Sequence, residues 1–214
     1  MTGDTPLRKI DPTAPDAETI QEAAGTVHAG GIVVFPTTGL YGLAADAMDA
    51  AAVDRIYRVK RRSKDKPLSV LIADSSSLSF VAATVPPAAR RIVDAFWPGS
   101  VTVVLEARSA IPGNLTAGRG KIGVRMPNHP VALALVRAVG GIITATSANV
   151  SGMPGIARIE DLDVHLAAEV DLVLDAGPLE GGAGSTVVDA TQSPPVVLRE
   201  GAVRKKEIRR AAGT

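Results

Sequence analysis

At 214 residues the chain suits one domain, and about 70% of its unfolded surface can be buried, so a core needs no staples. The absence of cysteine excludes disulfides, thiolate zinc sites and a cysteine nucleophile. A net charge of +1 and an aromatic content of 3% exclude a large basic field and a rich set of stacking platforms, so any anion site must come from a local cluster.

Residues 1–15 read as a polar lead-in with room for one edge strand. Asp16 is placed to cap a helix predicted over 16–29, which Gly30 and Gly31 end. An apolar strand over 32–35 stops at Pro36, and the chain turns through Thr37, Thr38 and Gly39. Val53, Ile56, Tyr57 and Lys60 then fall at i, i+3, i+4 and i+7, which predicts a helix with a lysine on its core-facing stripe. A basic segment over 60–66 leads through Pro67 into a second strand over 69–72.

Asp74 and three serines open a loop before a short helix over 78–83. Pro86 and Pro87 start a helix that runs to 95, since proline fits the first turn. Trp97-Pro98-Gly99 breaks it, and a β-branched strand follows over 101–105. The stretch 110–120 is irregular; 122–126 is a strand, 130–139 a helix and 142–145 a strand. A helix is predicted over 159–170, strands over 172–174, 186–189 and 196–198, and a basic helix over 203–212. Strands and helices alternate early and strands cluster late. The fold class expected is α/β, an open mixed parallel and antiparallel sheet flanked by helices.

No apolar run approaches the roughly 20 residues that span a bilayer, and the N-terminus has no apolar signal core. A cytoplasmic protein without membrane contact is expected. Gly118-Arg119-Gly120-Lys121-Ile122-Gly123 matches the dinucleotide glycine pattern, but it leads into a strand where that fingerprint must open a helix. Gly-x-Ser-x-Gly, Walker A and His-Glu-x-x-His are absent, and the three histidines are scattered, so a protein-only metal site is not expected.

The basic segment reads in two ways, as a solvated face at a helix C-terminus or as an anion site. Lys60 on the apolar stripe and the density of Arg55, Arg58 and Arg62 favour a polyphosphate. Residues 144–149 place hydroxyl and amide groups at the end of a strand, either as ligand donors or as an ordinary Asx or Ser turn. The glycines of 181–184 fit a flexible loop or a close backbone approach, and Arg125 and Arg199 each close an apolar strand, either as surface ion pairs or, with Ser147 and Ser185, as ligand contacts. His129 is assigned to capping or packing, and Trp97 to the core.

The set FPTTGLYGL, Lys60-x-Arg62 with Pro67-Leu68, WPGSVTVVL, VRMPNHP, TSANVSG, GSTVVD and VVLREGAV resembles the YrdC-like family of threonylcarbamoyl-AMP synthases, in family order. The resemblance implies a YrdC-like twisted open mixed sheet with a concave positive face, a domain over 16–203, a lead-in over 1–15 and a basic tail over 204–214. It implies a nucleotidyltransferase that makes threonylcarbamoyl-AMP from L-threonine, bicarbonate and ATP, with Mg2+ on the triphosphate, for tRNA threonylcarbamoyladenosine modification. It further implies weak tRNA or double-stranded RNA contact and downstream tRNA-modification proteins as partners.

By motif matching, Lys60, Arg62, Ser147 and Asn149 form the catalytic tetrad. Arg62, Lys66, Lys121, Ser147, Gly155 and Arg199 correspond to nucleotide-binding positions. Thr37, Gly39, Arg125, Ala145 and Ser185 correspond to the amino-acid end, with Arg125 on the threonine carboxylate. Thr38 and Gly39 stand where many relatives carry an acidic residue and a threonine. Leu71 stands where some carry a histidine, and Ser63 replaces the usual proline after Lys-x-Arg. Two other readings stay open, a paralogue with the same ATP pocket but another acyl or carbamoyl substrate, and a non-catalytic RNA-binding module.

Overall fold

The computed structural model describes residues 5–213. In chain order its elements are β1 (Leu7–Lys9), α1 (Ala17–His28), β2 (Val33–Pro36), β3 (Tyr41–Ala44), α2 (Ala50–Val59), β4 (Ser69–Leu71), α3 (Leu78–Val81), α4 (Pro87–Phe96) and β5 (Val101–Glu106). There follow β6 (Lys121–Arg125), α5 (Pro130–Val139), β7 (Ile143–Ser147), α6 (Val164–Glu169), β8 (Leu172–Asp175), β9 (Thr186–Asp189), β10 (Val196–Arg199) and α7 (Lys205–Ala212). The strands join in one sheet of order β1-β8-β2-β3-β7-β4-β6-β5-β9-β10. Pairs β1–β8, β2–β8, β4–β6 and β5–β9 are parallel. Pairs β2–β3, β3–β7, β4–β7, β5–β6 and β9–β10 are antiparallel. The open, mixed sheet with flanking helices is the one expected.

Local chemistry sets the helix ends. The Asp16 carboxylate accepts from the Thr19 amide at 2.8 Å and starts α1. Pro87 occupies the first turn of α4, and Gly140, with φ +67°, ends α5 in the left-handed region. The helix expected over 159–170 is broken. A 3-10 turn (Ile159–Asp161) precedes a separate α6, because the Asp163 carboxylate accepts from the amides of His165 and Leu166 at 3.0 Å each and caps a new helix. Strand β3 was not anticipated, since Tyr-Gly-Leu-Ala lacks a β-branched run. Trp97 packs on the core as expected, and its indole donates to the Val101 carbonyl at 2.7 Å.

Side chains alternate between the two faces of each strand. On one face Val34, Leu43, Val70, Val103, Val124 and Val188 are buried with Val53 and Ile56 of α2 and Ile92 of α4. On the other, Val33, Phe35, Ala44, Leu71, Ile143 and Leu172 are buried against Ile20 and Val27 of α1 and Val131 and Leu135 of α5. Each large aliphatic side chain so buried contributes about 1.5–3 kcal/mol. The helices α1 and α5 cover only part of their face. Beyond them this side of the sheet continues with Gly42, Ser69 and Ala145 on the same strands and Gly123 and Thr102 on β6 and β5, and these small residues floor a cavity.

Candidate active site

The cavity has a volume of about 1310 Å³. Single drug-sized ligands occupy roughly 300–1,000 Å³, so two substrates can share it. Its lining brings together Thr37, Gly39, Arg62, Lys66, Lys121, Arg125, Ala145, Ser147, Gly155, Ser185 and Arg199, which are eleven positions singled out from the sequence. Lys60 and Asn149 are not among the lining residues. Both side chains work from behind the wall.

The C-terminus of α2 shows how. The Arg62 amide reaches back to the Tyr57 carbonyl and the Arg61 amide to the Arg58 carbonyl, each at 2.9 Å. Arg61 takes a left-handed φ of +48° to allow it. This helix-ending motif reverses the chain, leaving Lys60 inside and Arg62 at the cavity. Lys60 is 1% exposed, as its place on the apolar stripe required. Its ammonium donates to the Asn149 carbonyl at 2.7 Å and to the Ser147 carbonyl. Burial, then the neighbouring Arg62, pushes the Lys60 amine down to about 7. A neutral amine keeps two N–H donors, the number of carbonyls that it meets.

Asn149 is equally committed to structure. Its amide nitrogen donates to the carbonyls of Val150 at 2.8 Å and Met153 at 2.7 Å, while its oxygen accepts from the Ser147 hydroxyl. Ser147 closes β7 and is held on both its carbonyl and its hydroxyl. Of the stretch 144–149, Ala145, Thr146 and Ser147 line the cavity, while Thr144 is fully buried and Asn149 stands behind the wall.

Three guanidinium groups converge there. Arg62 donates to the carbonyls of Lys66 at 3.1 Å and Pro67 at 2.9 Å. Arg199 donates to the Ser185 carbonyl at 2.6 Å and 3.2 Å and to the Ser185 hydroxyl at 3.3 Å. The Arg125 side chain has no hydrogen bond or ion pair among the described residues, and none of the three forms a salt bridge there. Burial, then repulsion from Arg199, pushes Arg125 down to about 10; burial likewise lowers Arg62. Uncompensated cations at close quarters call for an anionic ligand.

The opposite end is shaped by backbone. The loop between β8 and β9 crosses the cavity edge, with the Gly181 amide donating to the Gly39 carbonyl at 2.9 Å. A Cβ on Gly39 would lie 2.3 Å from the Gly181 carbonyl oxygen, so no side chain fits. The glycine loop is thus a close backbone approach. The Thr38 hydroxyl donates to the Asn128 side-chain Oδ1 at the cavity mouth. Leu71 faces the same side of β4 as Ser69, yet it is fully buried in the core under α1 and α5. His129 begins α5 without a side-chain cap; burial lowers its imidazole, and its Nδ1 is buried without a partner. Of the capping or packing role expected of its side chain, no capping bond is made, and its partial burial accords with packing.

Sequence reasoning missed Asp65, Arg119 and Asp189 in the lining and Asn128 at the mouth. Asp189 carried a signal, for it closes an apolar strand two residues before Thr191. Its carboxylate accepts from the Thr191 amide at 3.0 Å in an Asx turn. Arg119 lay inside the glycine pattern that leads into β6. Among the described residues no group of three His, Cys, Asp or Glu gathers to hold a metal, and no helix is long and apolar enough to cross a membrane.

A family model, Sua5_yciO_yrdC, described as "Telomere recombination", matches residues 26–201. The chain is 38% identical over 194 residues to the threonylcarbamoyl-AMP synthase of Pyrococcus abyssi, covering 91% of this chain and 57% of that relative. It is 39% identical over 194 residues to a putative threonylcarbamoyl-AMP synthase of Mycobacterium tuberculosis, covering 91% of this chain and 89% of the relative. The solved structure of P. abyssi Sua5 complexed with L-threonine superposes with a TM-score of 0.91 at 36% identity, covering 98% of this chain and 61% of that one. The chain therefore spans less than two thirds of some relatives and nearly all of others.

Proposed function

Because the chain belongs to the Sua5/YciO/YrdC family, we propose that it is a threonylcarbamoyl-AMP synthase, converting L-threonine, bicarbonate and ATP to threonylcarbamoyl-AMP, pyrophosphate and water. The observation that carries this reading is the convergence of Arg62, Arg125 and Arg199, without carboxylate partners, in one cavity large enough for two substrates. The complex of P. abyssi Sua5 with L-threonine supports the amino-acid half.

The chemistry asks the protein for positioning and charge neutralisation. The threonine amine adds to carbon dioxide from bicarbonate, forming a C–N bond and losing a proton. A carbamate oxygen then attacks the α-phosphorus, and the bond to the β,γ-diphosphate breaks with its electron pair leaving on pyrophosphate. Arg125 pairs with the threonine carboxylate, and Thr37, Ala145, Ser185 and the side-chain-free Gly39 wall that end. Arg62, Lys66, Lys121 and Arg199 neutralise the triphosphate, and Gly155 leaves room for the nucleotide. Ser147 presents its hydroxyl at the junction, with Lys60 and Asn149 fixing it from behind.

Of the two lining carboxylates, Asp189 is saturated by neighbours and Asp65 accepts from Ser63. Magnesium fits this site as a companion of the phosphate oxygens, where it would supply charge neutralisation. The same reading places the enzyme in the cytoplasm, with its product passed on for tRNA modification. Pyrophosphate release from ATP should require threonine and bicarbonate together. Release with another amino acid and none with threonine overturns the substrate assignment.

A further inference from the structure

Lys121 opens β6 at the side of the cavity formed by β5, β6 and β9. Its ammonium donates to Thr191 Oγ1 at 2.7 Å and to Asp189 Oδ2 at 3.2 Å. The two partners differ in exposure, with the Lys121 side chain 36% exposed and that of Asp189 7%. Asp189 accepts further from the Thr191 hydroxyl at 2.6 Å, the Thr191 amide at 3.0 Å and Gln192 Nε2 at 3.0 Å. Burial raises its carboxyl, but the bonds from Thr191, Gln192 and Lys121 outweigh that and bring it down to about 2. The carboxylate is ionised throughout the working range, and protein donors take up its lone pairs. It is thus unsuited to be a base or a metal ligand.

What this arrangement does is immobilise a lysine. A free lysine carries about 2 kcal/mol of rotamer entropy, which a ligand would have to remove on binding. Here the protein has removed it already. Two of three ammonium donors are used internally, so one N–H is left for the cavity. Across β5–β6 Lys121 pairs with Glu106. Val104 pairs with Asp189 across β5–β9 and with Gly123 across β5–β6.

We propose that Asp189, together with Thr191, is a positioning residue that holds Lys121 as a fixed donor to the nucleotide. The proposal rests on the ATP-dependent reading above and deepens it. Titration calorimetry with ATP and, separately, L-threonine tests it on the full chain. Asp189→Asn should raise the Kd for ATP about tenfold, and Thr191→Val by a smaller factor, with the Kd for threonine unchanged. Lys121→Met should raise the Kd for ATP similarly, and adding Asp189→Asn to it should cost nothing more.

An equal loss from Asp189→Asn in both backgrounds overturns the positioning role, since the effect then bypasses Lys121. A folded Asp189→Asn variant with unchanged ATP affinity overturns it as well. If that variant does not fold, Thr191→Val keeps the carboxylate, and an unchanged ATP Kd there is equally fatal. Failure of the unaltered protein to bind ATP would instead remove the synthase reading and this proposal together.

Discussion

One face of the sheet is two regions built from the same strands. Under α1 and α5, β4 carries Leu71, β7 carries Ile143 and β3 carries Ala44. Two residues along, on the same face, these strands carry Ser69, Ala145 and Gly42, which floor the cavity. Period-two geometry makes the neighbours equivalent in direction, so only side-chain size and polarity divide them. Where the side chains are large, helices seal the face; where they are small, it stays open. Gly123 shows how tight the open floor already is, for a Cβ there would lie 2.8 Å from Ser69 Oγ and 3.1 Å from Thr102 Cγ2. The cations stand around the rim, so the open half trades core stability for a charged hollow.

The comparison breaks first on Leu71. It is fully buried, and Leu71→Ala removes a side chain from the sealed half without touching the lining. Unfolding in urea should show a loss of about 3–4 kcal/mol, the sum of lost transfer energy and residual cavity. ATP affinity should hold. A large loss of ATP affinity in a folded variant would mean that the two halves are not independent.

Arg62→Ala is the converse experiment, in the open half. The Kd for ATP should rise about 100-fold, or ~3 kcal/mol, as a charge-assisted contact is lost. The cost in stability should stay near 1 kcal/mol, since its own partners are two backbone carbonyls. Unchanged ATP affinity would remove Arg62 from the site.

The packed core on both faces of the sheet was legible in the sequence, and the open half of the cavity face only in outline. Apolar periodicity marks Val53, Ile56 and Tyr57, and capping chemistry marks Asp16 and Pro87, because these effects act within one turn of chain. Strand β3 escaped because its cavity-side residue is Gly42. A Cβ there would lie 3.1 Å from the Phe35 ring and 3.2 Å from the Thr146 carbonyl, so the glycine answers a tertiary approach. The helix expected over 159–170 had good periodicity, but Asp163 offered the backbone a better start. At the site, residue types and order pointed to the arginines. Which polar groups face the ligand and which stand behind them was decided by the reversal at Arg61, a conformation that propensity does not favour.

Lys60 sharpens the comparison further, since it is a basic residue placed where apolar residues belong. Its amine sits at about 7 in the folded chain against 10.5 for an ordinary lysine. Between those values the unfolded state binds more protons than the folded one, so stability rises with pH. The contribution is complete above about pH 10.5 and is lost as pH falls toward 7. Lys60→Met removes this slope and leaves the carbonyls of Ser147 and Asn149 without their donor. Measured by urea unfolding, the advantage of the unaltered protein over the variant should grow by roughly 3–4 kcal/mol from pH 7 to pH 10. Titrations common to both proteins cancel in the difference. A gap that stays constant across that range would mean that Lys60 remains charged in the fold, its burial offset by the two carbonyls alone.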